Sequence, residues 1–146
     1  MAFGPQLPAV QAHICVKGGA EAIKFYEAAL GAKCTFMKLA DDGVRVMHAN
    51  LDINGAEIML HDEFPEFSGD VKAPTTLGGT TFAINLNFAQ PSDVDAAVTQ
   101  AASAGATVIM PAGDMFWGAR YGRIRDPFGH VWAFNASLPG AGGPAA

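Results

Sequence analysis

The chain carries the same pattern of hydrophobic and polar positions twice. Each copy has a short apolar run, then apolar residues at helical spacing, then three more apolar runs separated by turn residues. The helical stretch ends at Gly31 in the first copy and at Gly105 in the second, 74 positions later. Gly129 follows Gly55 by the same 74 positions, each in a turn before the last run of its copy. Two unrelated signals at one offset indicate an internal duplication.

The pattern predicts four strands and one helix in each copy, in the order β-α-β-β-β. In the first copy we predict a helix over 20–30 and strands over 9–16, 33–39, 44–53 and 57–61. In the second we predict a helix over 93–104, capped by Ser92, and strands over 81–88, 108–110, 121–125 and 131–134. The predicted fold class is therefore α+β, with two βαβββ modules, paired curved sheets and outer helices.

The length fits one domain over 1–146. We place a first module at about 8–62, a connecting loop at 63–80, a second module at about 81–137 and a flexible tail at 138–146. The loop is longer than most connections within a domain, so it is either a linker or a lid.

Composition excludes several classes of partner. Half of the residues are hydrophobic and 16% are charged, which is typical of a globular domain. The net charge of −5 argues against binding to nucleic acid, and no apolar stretch approaches the roughly 18 residues of a membrane span. Cys15 and Cys34 show no Cys-x-x-Cys spacing, and the chain starts without a signal-peptide pattern. We therefore expect reduced thiols in a cytoplasmic protein.

Six motifs resemble those of a known family, and they span most of the chain. They are 22–26 (Ala-Ile-Lys-Phe-Tyr), 30–32 (Leu-Gly-Ala), 47–49 (Met-His-Ala), 58–65 (Ile-Met-Leu-His-Asp-Glu-Phe-Pro), 116–123 (Phe-Trp-Gly-Ala-Arg-Tyr-Gly-Arg) and 126–132 (Asp-Pro-Phe-Gly-His-Val-Trp). With the duplicated modules, they resemble the vicinal oxygen chelate superfamily over about residues 8–137. This group includes glyoxalase I, the bleomycin resistance proteins and the extradiol dioxygenases, and the PhnB-like branch is the most similar. The resemblance implies a concave cavity between the modules and a homodimer.

The resemblance also indicates where a metal would bind. Metal-dependent members hold a divalent ion with one ligand from the first and one from the last strand of each module. The corresponding positions in this chain are Gln11, Met59, Ala83 and Ala133. Alanine has no ligating atom and methionine suits only soft metals. We therefore expect no metal site and no other cofactor, and we disfavour a divalent metal held elsewhere in the cavity.

Strand alternation predicts which side chains face the cavity. The wall mixes polar side chains with small apolar ones, which suits a small organic ligand. We predict these ligand-binding residues: Gln11, His13, His48, Met59, His61, Asn85, Phe116, Trp117, Tyr121 and Arg123.

The three histidines of this wall admit two interpretations. His13, His48 and His61 could form a displaced metal site or supply a general base near neutral pH. Alternatively, they are hydrogen-bonded polar residues in a solvated groove, which is the interpretation we favour. No nucleophile has a predicted base beside it, so we assign no catalytic residue.

Arginine and aromatic residues near the last two strands also admit two interpretations. Arg123 could bind an anion through its guanidinium, or it could pair with Asp114, Asp126 or solvent. Phe116 and Trp117 could cover a flat ligand, or they could close the end of the sheet or form a dimer contact.

Three functions are compatible with these features, and the sequence leaves open whether the protein is an enzyme. We favour binding of a small organic molecule without a metal, as in bleomycin resistance proteins. The second is an enzyme of the glyoxalase or dioxygenase type (lyase, isomerase or dioxygenase) with a shifted metal site. The third is a metal-free enzyme that uses a cavity histidine. A fold alone does not decide between them.

Overall fold

A computed structural model describes residues 7–67 and 70–140 of the chain. Within these ranges the chain forms eight strands and three helices. In chain order they are β1 (His13–Val16), α1 (Gly19–Leu30), β2 (Lys33–Leu39), β3 (Val46–Ile53), β4 (Ala56–Asp62), α2 (Pro74–Leu77), β5 (Ala83–Asn87), α3 (Pro91–Ala104), β6 (Thr107–Met115), β7 (Ala119–Arg125) and β8 (Val131–Ser137).

The strands form two four-stranded sheets with the same topology. The first has the order β1-β4-β3-β2 and the second β5-β8-β7-β6. In each sheet the first and last strands of the module pair in parallel, and the other pairs are antiparallel. The predicted α+β fold with paired sheets is therefore confirmed.

Several predicted boundaries differ from those of the structure. The first strand begins at His13, so Gln11 lies just before it. The second long helix begins at Pro91, and its N-cap is Gln90, which shares a capping box with Asp93. Ser92 lies inside the helix and does not cap it. Part of the predicted tail, 141–146, lies outside the described residues.

Each sheet packs one face against its own helix. On the helix side of the first sheet, Ile14, Leu51 and Leu60 are fully buried, and Trp132 and Phe134 are their counterparts in the second sheet. These residues belong to one continuous hydrophobic core. We call the opposite face of each sheet its open face. Because side chains alternate along a strand, polar residues between these core positions point to the open face.

A buried carboxylate determines where α1 begins. Asp62, at the end of β4, accepts hydrogen bonds from the backbone N–H groups of Gly18 and Gly19, and from Val46 N at 2.7 Å. The carboxylate therefore satisfies N–H groups at the helix start, where the helix dipole also favours a negative charge.

The two modules meet around a second buried carboxylate. Asp126 Oδ2 accepts a hydrogen bond from Tyr26 Oη at 2.5 Å and one from Trp132 Nε1 at 2.8 Å. Burial and the neighbouring Asp126 raise the pKa of Tyr26 well above its usual value, so the phenol stays a donor. His130, to which the sequence assigned no role, is buried and donates from Nε2 to the carbonyl of Cys15 at 2.7 Å.

The described part of the connecting segment contacts both modules. It contains the short helix α2, which sequence periodicity did not predict. Pro74, the first residue of α2, is buried beside Gly129, where an added Cβ would lie 2.7 Å from the proline ring. Thr76 Oγ1 donates to Glu63 Oε2 at 2.5 Å. This segment therefore follows the surface closely between the two modules.

Candidate functional site

Three imidazoles cluster on the open face of the first sheet. His13 lies beside Met59 in the parallel register of β1 and β4, and His61 lies two residues further along β4. The ring of His13 contacts those of His61 and His48 edge to face, at centroid distances of 4.8 and 5.7 Å. Asn50, next to Met59 in the antiparallel register, completes this polar surface.

Hydrogen bonds fix the orientation of two of these rings. His61 donates from Nδ1 to the backbone carbonyl of Asp62 at 2.6 Å, and His48 Nε2 bonds to Asn50 Oδ1 at 2.7 Å. Each of these rings therefore keeps one nitrogen for a ligand. Gln11 lies nearby, and its amide donates to Glu57 Oε2 at 3.1 Å.

Burial changes the pKa of two side chains on this face. Partial burial lowers the pKa of His13 below its usual value, and positive charge on His61 and His48 lowers it further. Burial also raises the pKa of the Cys15 thiol to about 11, with a further contribution from Glu63 and Asp62. His13 therefore favours the neutral form, and Cys15 is a thiol and a poor nucleophile at neutral pH.

The open face of the second sheet carries amides and a guanidinium. Asn87 Oδ1 accepts hydrogen bonds from Asn85 Nδ2 at 2.9 Å and from Asn135 Nδ2 at 3.1 Å. On β7, Arg123 Nε donates to the hydroxyl of Tyr121 at 2.8 Å. The two faces therefore differ chemically: histidines are on the first sheet, and asparagines and an arginine on the second.

An aromatic row leads from the β6–β7 turn onto the second open face. Phe116 contacts Trp117 edge to face at 5.1 Å, and Trp117 contacts Tyr121 at 5.6 Å. Phe116 is 97% exposed and Trp117 is 49% exposed. Such large exposed aromatic groups are typical of a binding surface.

The structure brings the ten predicted ligand-binding residues together in two groups. Gln11, His13, His48, Met59 and His61 form the first group, on or beside the first sheet. Asn85, Phe116, Trp117, Tyr121 and Arg123 form the second. Within residues 7–67 and 70–140, no hydrogen bond or ring contact joins one group to the other.

A model of the Glyoxalase/Bleomycin resistance protein/Dioxygenase superfamily matches residues 8–134 of the chain. The chain belongs to this superfamily. It is 42% identical over 129 residues to an uncharacterised protein of Mycobacterium bovis, covering 88% of this chain and 82% of that protein.

Two solved structures have the same fold as this chain. Protein PA1353 from Pseudomonas aeruginosa superimposes with a TM-score of 0.67 at 25% identity, over 88% of this chain and 97% of the other. A PhnB protein from Bacillus cereus superimposes with a TM-score of 0.67 at 17% identity, over 89% and 100% of the two chains. The family model thus confirms the resemblance to the superfamily, and these superpositions show the shared fold.

The residues at the metal positions of the superfamily do not fit its divalent ion. Ala83 and Ala133 have no donor atom, Met59 supplies only a thioether, and the amide oxygen of Gln11 is the one hard donor among the four, because its Nε2 donates to Glu57. In the part of the chain that the structure describes, no group of three or more His, Cys, Asp or Glu side chains is arranged to hold a metal. At the four positions that the resemblance assigns to the metal, this chain therefore does not carry the ligands expected of metal-dependent members.

Sequence reasoning missed one part of the second face. Thr80, Thr81 and Phe82, just before β5, line a small cavity together with Arg123. Thr81 and Phe82 were expected to be strand residues, so nothing marked them as a pocket wall.

Among the described residues, no helix is long and apolar enough to cross a membrane.

Proposed function

We propose that this superfamily member binds a small organic molecule in the concave cavity lined by its open faces, without a metal ion. One observation carries the proposal: the four metal positions hold side chains that cannot form an ion site, while the faces around them stay polar and accessible. A sheet face that served only for packing would not expose asparagine, arginine and tryptophan side chains together.

We also propose that the protein is a cytoplasmic homodimer. Strand β2 is an edge strand whose Phe36, Met37 and Leu39 are exposed, and edge strands present unpaired backbone groups. A second copy covering these positions would bury apolar surface. Cys15 and Cys34 are free thiols, which is typical of a reducing compartment.

A second candidate function is metal-free catalysis with His13 as general base. His13 is the imidazole whose pKa is lowered, so it is in the neutral form that a general base requires near neutral pH. Cys15 is excluded as the nucleophile of such a reaction by its raised pKa. The shifted-metal enzyme has less support, because among the described residues no group of three or more His, Cys, Asp or Glu side chains is arranged to hold a metal.

The test is elemental analysis of the purified protein, combined with mass spectrometry of the small molecules released on denaturation. We expect far less than one metal ion per chain, and a released small molecule. In His13→Gln and His61→Gln, retention of that molecule should fall. Lys24→Gln, on the exposed side of α1, is the matched control and should retain it like the parent protein.

Two outcomes would contradict the proposal. One divalent ion per chain that is lost in His48→Gln or His61→Gln would establish a shifted metal site. The other outcome is conversion of the released molecule by the wild-type protein in a reaction that His13→Gln abolishes. That outcome would show metal-free catalysis in place of simple binding. Size-exclusion chromatography with light scattering tests the dimer separately, and a monomeric mass would exclude it.

A further inference from the structure

The second open face contains a small cavity at the start of β5. Its volume is about 330 Å³, at the lower end of the range typical of ligand sites. Its walls are formed by Thr80, Thr81, Phe82, Ala83, Arg123 and Val131. Ala83 is one of the four metal positions of the superfamily, so the alanine leaves space where metal-dependent relatives carry a ligand.

The guanidinium in this cavity differs from those of Arg45 and Arg120, whereas Arg125, outside the cavity wall, resembles it in having no ion pair among the described residues. Arg45 and Arg120 each pair with two carboxylates. Arg123 instead donates from Nε to the neutral hydroxyl of Tyr121, and its guanidinium carbon lies 5.5 Å from the centre of that ring. Within residues 7–67 and 70–140, Arg123 forms no ion pair with a carboxylate.

The bond to Tyr121 determines which part of Arg123 can meet a ligand. Because Nε is occupied, the two terminal nitrogens remain as a pair of parallel donors. Such a pair matches the two oxygens of a carboxylate in a bidentate hydrogen bond. A phosphate dianion would leave more of its oxygens unsatisfied, since the cavity contains one guanidinium and the hydroxyls of Thr80 and Thr81.

We propose that Arg123 binds the carboxylate of a small aromatic acid in this cavity. The inference rests on the proposed binding function and names its ligand class. The apolar body of the acid would contact Phe82, Ala83 and Val131, and the row from Trp117 to Tyr121 extends the aromatic surface beside Arg123. Arg123 then supplies the positive charge of the site, next to Ala83, which cannot hold a metal ion.

The test measures dissociation constants of matched probes by ligand-observed saturation-transfer NMR on the full chain. Benzoate, benzamide and phenyl phosphate share a ring and differ in charge and geometry. We expect benzoate to bind and benzamide to bind roughly tenfold more weakly or worse, because a hydrogen bond to a charged group is stronger than one between neutral groups. Arg123→Gln should weaken benzoate by a similar factor and leave benzamide unchanged.

Two further variants control the interpretation. Arg125→Gln removes the same charge from the same face of β7 but lies outside the cavity wall, so benzoate affinity should change by less than about twofold. Arg123→Lys keeps the charge without the paired donors and should give an intermediate affinity. The lysine variant also decides the question if the glutamine variant does not fold.

Four results would overturn the inference: no binding of benzoate, equal affinity for benzoate and benzamide, unchanged benzoate affinity in both Arg123 variants, or tighter binding of phenyl phosphate than of benzoate. Failure of the proposed function is detected separately, because no small molecule would then co-purify with the protein. A neutral molecule retained equally by wild type and Arg123→Gln would support binding and contradict the carboxylate assignment.

Discussion

At the scale of single residues, the three clustered imidazoles differ in their constraints. His48 and His61 are each oriented by a hydrogen bond through one ring nitrogen. His13 contacts both rings, and its pKa is lowered by burial and by the two neighbours. The folded state therefore disfavours protonation of His13.

This has a consequence for stability in acid. The folded-state pKa of His13 lies below its unfolded value of about 6.5, so the unfolded chain binds the proton more readily. The contribution of His13 to the free energy of unfolding should be fully present above about pH 6.5, and it should be lost as the pH falls from there toward the lower folded-state pKa. Urea unfolding at about pH 7.5 and about pH 5 should show a smaller loss in His13→Gln than in the wild type. Met59→Leu alters the same face without a titrating group and should keep the wild-type loss, whereas equal losses in all three would refute this role.

At the scale of elements, α1 depends on a close approach between its first residue and the end of β4. A Cβ on Gly19 would lie 2.6 Å from Asp62 Oδ2 and 2.9 Å from the Val46 side chain. Gly31, which ends the same helix at φ 65°, has open space around it. The two glycines are therefore required for different reasons, one for space and the other for backbone conformation.

Alanine substitutions should separate these reasons. Gly19→Ala must displace the carboxylate that holds the helix start, and we expect a loss of about 1–3 kcal/mol in the free energy of unfolding. Gly31→Ala introduces only backbone strain and should cost about 1 kcal/mol. Chemical denaturation followed by far-UV circular dichroism measures both values. A smaller loss for Gly19→Ala than for Gly31→Ala would contradict the proposed steric conflict.

The elements that the sequence predicted are those with a clear period. The two long helices and eight strands show periods of 3.6 or 2, and the repeated order β-α-β-β-β supports the assignments in both copies. Helix α2 is only four residues long, so it has no period to detect. The cap of α3 was misplaced because Gln90 is a less usual N-cap residue than Ser92. Alternation predicted which residues share an open face, but the wall of the Arg123 cavity includes residues before β5 whose positions depend on tertiary packing.

At the scale of the whole molecule, the modules are joined by polar contacts as well as by their common core. His130 bonds to the Cys15 carbonyl, and Asn54 Nδ2 donates to the carbonyl of Asn87 at 2.8 Å. Tyr26 of α1 reaches Asp126 of the second module. The halves of the duplication are therefore expected to unfold as one cooperative unit.

Removing one hydroxyl tests this coupling. Tyr26→Phe leaves Asp126 Oδ2 with Trp132 Nε1 as its remaining side-chain donor, and we expect a loss of about 1–3 kcal/mol in the free energy of unfolding. Tyr121→Phe, on the partly exposed open face, should change stability by less than about 0.5 kcal/mol. Fluorescence and circular dichroism should report a single transition in both variants. Separate transitions in the wild type would show that the modules unfold independently.

The positions of the two tryptophans provide built-in optical probes. Trp132 is fully buried at the junction with its indole bonded to Asp126, whereas Trp117 is half exposed beside Tyr121. Emission from Trp117 should respond to quenchers and to molecules that occupy the second open face, while emission from Trp132 should shift to the red only when the halves part. Trp132→Phe would thus leave tryptophan emission that reports occupancy of the second open face. Trp117→Phe would leave emission that reports whether the two halves remain together.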